Sequence, residues 1–438
     1  MKNLVFLNFF LLYFPLFSQY NVSVTYCNHN DVNASRYEPS ELHLGKKHFQ
    51  LSGNYYLWAG NNAFHYGLFD KLQKDKELTS EDIDNLLSSM HPTKNTLGLG
   101  QDYQILGLAF QIKNIAFAFS VVDKFAFDFN YTRNFLSLLW QGNKQFAGQN
   151  IDLGPLSMNA QYTREFVGAT AFNLFGDMEK GVRLGIKAKY IQGLGALSMP
   201  TSQLKMYTEP DGRYIDVGFN YHLNISGLSK FDPLAFNGTG YGADLGATFN
   251  FSPKFSLDAS VLDIGAVNYN KNLKSYAKMG TYRYEGMFIK NFFSVPEMNT
   301  DTLAAVFEPV ETEGNGFSVA LPTRLFLQGE LKLGKKDDES LQPKHAFFFT
   351  YIQGFNQKPG GTKRPYLGVA YNYDLHEIID IGASAALGGY NRYAIGTFFS
   401  LNFFHTLKLG IGSDNLMPLI IKKSGTGIDV SLNASLSF

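Results

Sequence analysis

The sequence predicts an all-β protein: a transmembrane antiparallel outer-membrane β-barrel of about fourteen strands, with short helices in its loops. Three observations carry this. Charged residues make up only 17% of 438 positions, against roughly 25% in an ordinary soluble protein, while aromatic residues reach 15%. From about Lys46 to the end, apolar side chains alternate with small or polar ones, so two faces of each strand meet different surroundings. The alternating segments are joined by short polar turns at one end and much longer connections at the other.

The chain starts Met1, Lys2, Asn3, runs apolar from Leu4 to Phe17 and then reaches Ser18 and Gln19. That order predicts a signal peptide over residues 1–19 and export, followed by an N-terminal periplasmic segment over 20–45 and a barrel over 46–438. The stretch is short for a membrane anchor and lacks a basic stop-transfer flank. No later run is long and apolar enough for a helical span, and the mean hydropathy is −0.13. Cys27, the single cysteine, excludes an internal disulfide framework.

The strands declare themselves by period two. Leu184, Ile186, Ala188 and Tyr190 alternate with Gly185, Lys187 and Lys189, and Leu245, Ala247, Phe249 and Phe251 with Gly246, Thr248 and Asn250. Tyr393 to Phe403 repeats the pattern with Phe398 as its exception. At the C-terminus Ile428, Val430, Leu432, Ala434, Leu436 and Phe438 alternate with Asp429, Ser431, Asn433, Ser435 and Ser437, like the last strand of a bacterial outer-membrane barrel. A soluble sandwich would put many more Lys and Glu on its exposed face.

Short turns fall at Lys113 to Asn114, Gly176 to Gly181, Ser252 to Lys254, Gly334 to Gln342, Asp374 to Glu377 and Phe404 to His405. With both termini at that end, these turns give fourteen membrane crossings. The turn Glu209 to Gly212, between Leu204–Tyr207 and Arg213–Leu223, predicts extra strands rising above the membrane. Two helices break the alternation. One spans Thr79 to Met90, with Ser80 as N-cap and Ile83, Leu86, Leu87 and Met90 on one stripe; the other spans Arg133 to Gln141, with Phe135, Leu138 and Leu139 on a stripe beside Trp140. Their apolar stripes either cap the barrel rim or plug the lumen, which makes these eight residues the candidate plug or lumen contacts.

Several chemistries find no support. The 38 basic and 38 acidic residues leave no positive excess for nucleic acid. The histidines form no HExxH, and His43 and His48 stand five apart, so neither a metal nor a cofactor site is indicated. Gly238, Gly240 and Gly242 lack the following helix and lysine of a phosphate loop, and glycines facing a crowded lumen explain them. The acidic loop with Glu297, Asp301, Glu308, Glu311 and Glu313 matches no calcium motif and reads as a solvated outer loop. No spacing singles out a serine triad, so no enzyme activity is expected.

The run from Gly142 to Gly148, Tyr162 with Arg164 and Glu165, Lys187 to Gly193, Asp258 to Asn268, Tyr284 to Gly286 and Leu321 to Arg324 together resemble a family of uncharacterised outer-membrane proteins of the Bacteroidota, a domain of unknown function. The resemblance spans nearly all of the chain past the leader and implies a barrel of the long-chain fatty-acid transporter kind, with fourteen strands and hatch helices. It brings no substrate and no site residues. The reading that follows is passive passage of a hydrophobic or amphipathic small molecule across the outer membrane. The alternative is a non-transporting barrel that anchors an assembly such as secretion or gliding machinery. Expected partners are outer-membrane lipid and lipopolysaccharide, an apolar ligand and another outer-membrane protein.

Overall fold

The computed structural model describes residues 33–44, 48–75, 77–177, 179–228, 232, 234–285, 310–334, 344–376, 378–421 and 425–438. The leader, Cys27 and Glu297, Asp301 and Glu308 of the acidic loop lie outside them.

Nineteen strands form one sheet. They are β1 (Phe49–Asn61), β2 (Asn95–Ile112), β3 (Ile115–Tyr131), β4 (Asn150–Asp152), β5 (Leu156–Gly176), β6 (Gly181–Thr208), β7 (Ile215–Ser226), β8 (Gly238–Ser252), β9 (Phe255–Tyr269) and β10 (Leu273–Tyr284). There follow β11 (Val310–Glu313), β12 (Phe317–Ala320), β13 (Arg324–Leu333), β14 (His345–Gly354), β15 (Tyr366–Leu375), β16 (Ile379–Gly388), β17 (Tyr393–Phe403), β18 (Leu407–Ser413) and β19 (Gly427–Ser437). Antiparallel pairing runs β1-β2-β3-β5-β6-β8-β9-β13-β14-β15-β16-β17-β18-β19 and closes on β1, a ring of fourteen. Closure leaves the ring no unpaired edge, which the membrane interior requires.

The expected fourteen therefore undercounts the sheet by the strands outside the ring. β4 and β7 pair with the far part of β6, β10 with β7, β11 with β10, and β12 with β9. The turn at Glu209 to Gly212 does join β6 to β7, but β6 is a 28-residue continuation of a wall strand. All six short turns join consecutive ring strands.

The alternation sorts outside from inside. On β19, Leu432 and Ala434 are exposed, while Asp429, Ser431, Asn433 and Ser435 are buried. Phe347 and Phe349 of β14 point out; Phe348 and Thr350 point in. The polar set thus faces the lumen, and the apolar set faces lipid. Phe398 turns inward because Gly382, its register partner, has no side chain: a Cβ there would overlap the Phe398 ring. Ring pairs mark both membrane interfaces. Phe49–Phe438, Phe110–Phe117 and Phe251–Phe255 lie at the short-turn end with centroids 6.4, 5.3 and 5.6 Å apart; Tyr55–Tyr103 and Phe166–Tyr190–Tyr241 lie toward the other.

The helices are α1 (Tyr66–Asp75), α2 (Ser80–Ser89), α3 (Arg133–Gln141) and the short α4 (Met417–Ile420). The cap of α2 is Thr79 and not Ser80, because Asp82 at the third position reaches back to the Thr79 backbone in a capping box. α1 escaped the sequence reading: its apolar Leu68, Phe69 and Leu72 make a narrow stripe in a polar stretch.

Candidate interior chamber

The strand faces that look inward are polar, and they hold a piece of the chain's own N-terminus. Residues 33–44, expected within a periplasmic segment, run through the barrel interior as two short 3-10 turns, Ala34–Arg36 and Pro39–Glu41. Ser40 Oγ lies 2.7 Å from Thr248 Oγ1, and the Ser260 hydroxyl donates to the Tyr37 carbonyl at 2.7 Å. Arg183 donates to the Ser40 carbonyl at 3.0 Å, and the Leu44 amide donates to Gln111 at 3.1 Å. Gly185 and Gly246 stand opposite each other on β6 and β8, where a Cβ on either would run into Pro39 or Glu38. At Gly185 glycine is required by the approach of another backbone, and at Gly246 by the Glu38 and Pro39 side chains.

Above this segment an ionic belt crosses the lumen. Lys124 of β3 meets Glu165 of β5 at 2.9 Å, and Lys189 of β6 meets Asp244 of β8 at 2.7 Å and also Asp263 of β9. Arg324 of β13 reaches Asp263 at 3.1 Å, and Arg36 of the inner segment reaches Asp102 of β2 at 2.8 Å. Asp263 gets there by a bulge: its φ of 55° and the register shift between Ala243 and Leu245 turn an extra side chain inward. Charges in such surroundings persist because each has opposite partners.

The belt divides two small cavities, one on the inner-segment side and one on the other. The second is the candidate chamber. Tyr56 and Trp58 form one wall, Leu321, Pro322 and Arg324 another, and Asp102, Lys124 and Tyr37 its floor. Its roof is the loop from Phe355 to Pro365, which folds inward. The Gly360 amide donates to Asp128 at 3.0 Å, Tyr390 bonds Asp128 and also donates to the Gly361 carbonyl at 3.0 Å, and Asn356 donates to the Leu321 carbonyl at 2.8 Å.

None of the eight sequence candidates lines either cavity. Leu86, Leu87 and Met90 are buried in a cluster with Tyr131, Leu136 and Leu156, against which Ile83, Phe135, Leu97 and Phe129 also pack. Leu138 packs beside Ile151, Leu153 and Met206. Leu139 and Trp140 are exposed, the indole standing edge-on to Phe64 at 5.8 Å. These helices pack on the strand ends.

The sequence reading missed the belt and the inner segment. One signal was there: Lys187 and Lys189 sat on the small, polar face, as did Asp244, so opposite charges fell on inward positions of neighbouring strands. Gly238, Gly240 and Gly242 do face a crowded interior, against Tyr269, Val267 and Leu321. Among the described residues no three His, Cys, Asp or Glu side chains gather in a way that could hold a metal ion.

No curated protein matches the chain. Solved structures similar to it include the Pseudomonas putida toluene transporter TodX, at 9% identity over 93% of this chain and 94% of that one with a TM-score of 0.47. The Ralstonia pickettii toluene transporter TbuX has 8% identity over 93% of each chain and a TM-score of 0.47. A Pseudomonas aeruginosa FadL homologue has 13% identity over 94% of this chain and 95% of that one, with a TM-score of 0.46. A family model matches residues 43–414, and the chain belongs to that family, a family of unknown function designated DUF5723.

Proposed function

We propose that this barrel passes hydrophobic or amphipathic small molecules through the outer membrane, with exit sideways through the wall between β9 and β13. The observation that carries this is the chamber's position behind a break in that wall. β9 pairs with β13 up to Leu262 and with β12 from Ala266; between them Asp263, Ile264 and Gly265 face Leu321 to Thr323 outside the ladder. Two bonds suture the gap, Leu321 N to Gly265 O at 2.9 Å and Thr323 Oγ1 to Asp263 O at 2.8 Å. Asp263, Leu321 and Pro322 also line the chamber. Along the barrel axis the way is closed by the belt and the inner segment, so the wall is the short route into lipid.

The test is uptake of a hydrophobic fluorescent dye, N-phenyl-1-naphthylamine, by cells carrying the barrel. Ala266 and Ala320 are register partners beside the gap, and the A266C/A320C pair closes it under oxidation. Uptake that falls severalfold on oxidation and returns on reduction supports the reading. Uptake unchanged by locking overturns the sideways route, and no uptake above barrel-free cells overturns transport. The raised sheet of β6, β7, β10 and β11 favours the second reading, an anchor for another outer-membrane protein. Absent uptake together with a stoichiometric co-purifying protein would establish that role.

A further inference from the structure

The roof of the chamber is a strap fastened at two places. Loop 355–365 leaves β14 after Gly354 and enters β15 at Tyr366. Its far side is tied to β2 and β3. Six strands stand between β3 and β15 whichever way the ring is followed, so the loop crosses the full width of the lumen. Asp128 of β3 accepts the Gly360 amide at 3.0 Å, and the Gln357 side chain donates to Asn130 and, at 3.4 Å, to Thr96 of β2. Tyr390 clamps the same point by bonding Asp128 and donating to the Gly361 carbonyl at 3.0 Å; both Tyr390 and Asp128 are buried.

The near fastening is the suture in the wall. The Phe355 amide donates to the Thr323 carbonyl at 2.9 Å, and the Asn356 side chain donates to the Leu321 carbonyl at 2.8 Å. Gly361 lies on Pro322, where a Cβ added to it would stand 2.8 Å from that of the proline. Residues 321–323 are thus held from two sides, by Asp263 and Gly265 of β9 and by the strap. Strap and suture also line one space, Pro359 and Gly360 together with Leu321, Pro322 and Asp263. With the strap docked, that chamber has about 80 Å³ of free volume, against roughly 300–1,000 Å³ in a small-molecule site. A hydrophobic compound therefore passes only once the strap has left, and a departing strap takes Asn356 and Gly361 off the suture with it.

We propose that loop 355–365 couples entry to exit: docked, it closes the lumen mouth and braces the wall gap; displaced by an entering molecule, it opens the mouth and loosens the gap in one movement. This rests on the sideways-transport reading and names its regulation. The brace is direct, because the strap's two bonds fall on the carbonyls of Leu321 and Thr323, whose amide and hydroxyl close the gap. Packed side chains and hydrogen bonds that change together carry coupling of this kind.

The experiment loosens the strap at its far end and reads the wall. Four strands of the ring lie between β3, which carries Asp128, and β13, so an effect of Asp128 on Leu321 has the strap as its route. In the purified full-length barrel in detergent, Asp128→Ala should speed hydrogen exchange of the Leu321 amide severalfold. Uptake of N-phenyl-1-naphthylamine by cells carrying the variant should rise with it. Pinning the strap gives the converse. A Cβ on Gly360 would stand 3.3 Å from that of Ala126, so the A126C/G360C pair closes under oxidation. Oxidation should slow Leu321 exchange and uptake together, and reduction should restore both. Leu321 exchange that neither change moves would overturn the coupling, whatever happens to uptake, and leave the strap a lid on the mouth alone. Exchange that moves as expected with no uptake by any form would uphold the link between strap and wall and overturn transport.

Discussion

Lys189 shows at the residue scale how the lumen keeps charge. It bridges Asp244 and Asp263 with its side chain only 5% exposed, so Lys189→Met would leave two buried carboxylates short of a cation. Breaking a buried pair by removing one partner costs about 3–5 kcal/mol. Urea unfolding of the barrel in lipid vesicles should show a loss of that size, and a loss under about 1 kcal/mol would mean that Lys124 and Arg324 suffice for Asp263. Phe398 and Gly382 make a second test. Gly382→Ala drives a methyl into the Phe398 ring and should cost about 1–3 kcal/mol, most of it recovered in the background of Phe398→Ala. Additive losses would show that the two do not share one space.

At the element scale, α2 depends on its first turn. The hydrogen bonds from Lys71, then those from Thr79, hold the Asp82 carboxyl down to about 2 from its ordinary 3.8. A depressed acid stabilises the folded form fully above its unfolded value and loses that support as the pH falls through the folded one. Hydrogen exchange at the α2 amides should therefore rise between pH 4 and pH 2, and Asp82→Asn should abolish that step. An unchanged step in the variant would assign the fraying to another group. The inner segment is the second element at stake. Gly185→Val should expel residues 37–41, read as new protease cleavage there with the barrel intact on a heat-modifiable gel. Continued protection would show that the strands yield instead of the segment.

For the whole molecule the consequence is a closed axis. The folded-in loop 355–365, the ionic belt and residues 33–44 stand one behind another along the lumen. In a planar bilayer the intact barrel should pass almost no ionic current, and Gly185→Val should raise the conductance severalfold through the vacated half. A large steady conductance in the unaltered chain would mean that water threads the belt and that the barrel works as a porin.

The sequence by itself determined the closed sheet, its two faces, the short-turn positions and the helix Arg133–Gln141, because each rests on local patterns: period two, period 3.6 and turn residues. It also showed which residues face the lumen, Lys187 and Asp429 among them. It did not show what they face. Asp102 and Lys124, 22 positions apart, become neighbours through the β2–β3 register, which a bulge at Ile105 shifts by one. Glu165, Lys187, Lys189, Asp263 and Arg324 lie in separate stretches of the sequence, and only ring closure brings those strands around one space. Tertiary structure alone decided that the N-terminal segment enters the lumen and that the apolar helices stay outside it. The reason is that burial is settled by the partner available: Ser40 finds Thr248 within, and Leu86 and Phe135 join one apolar cluster at the rim.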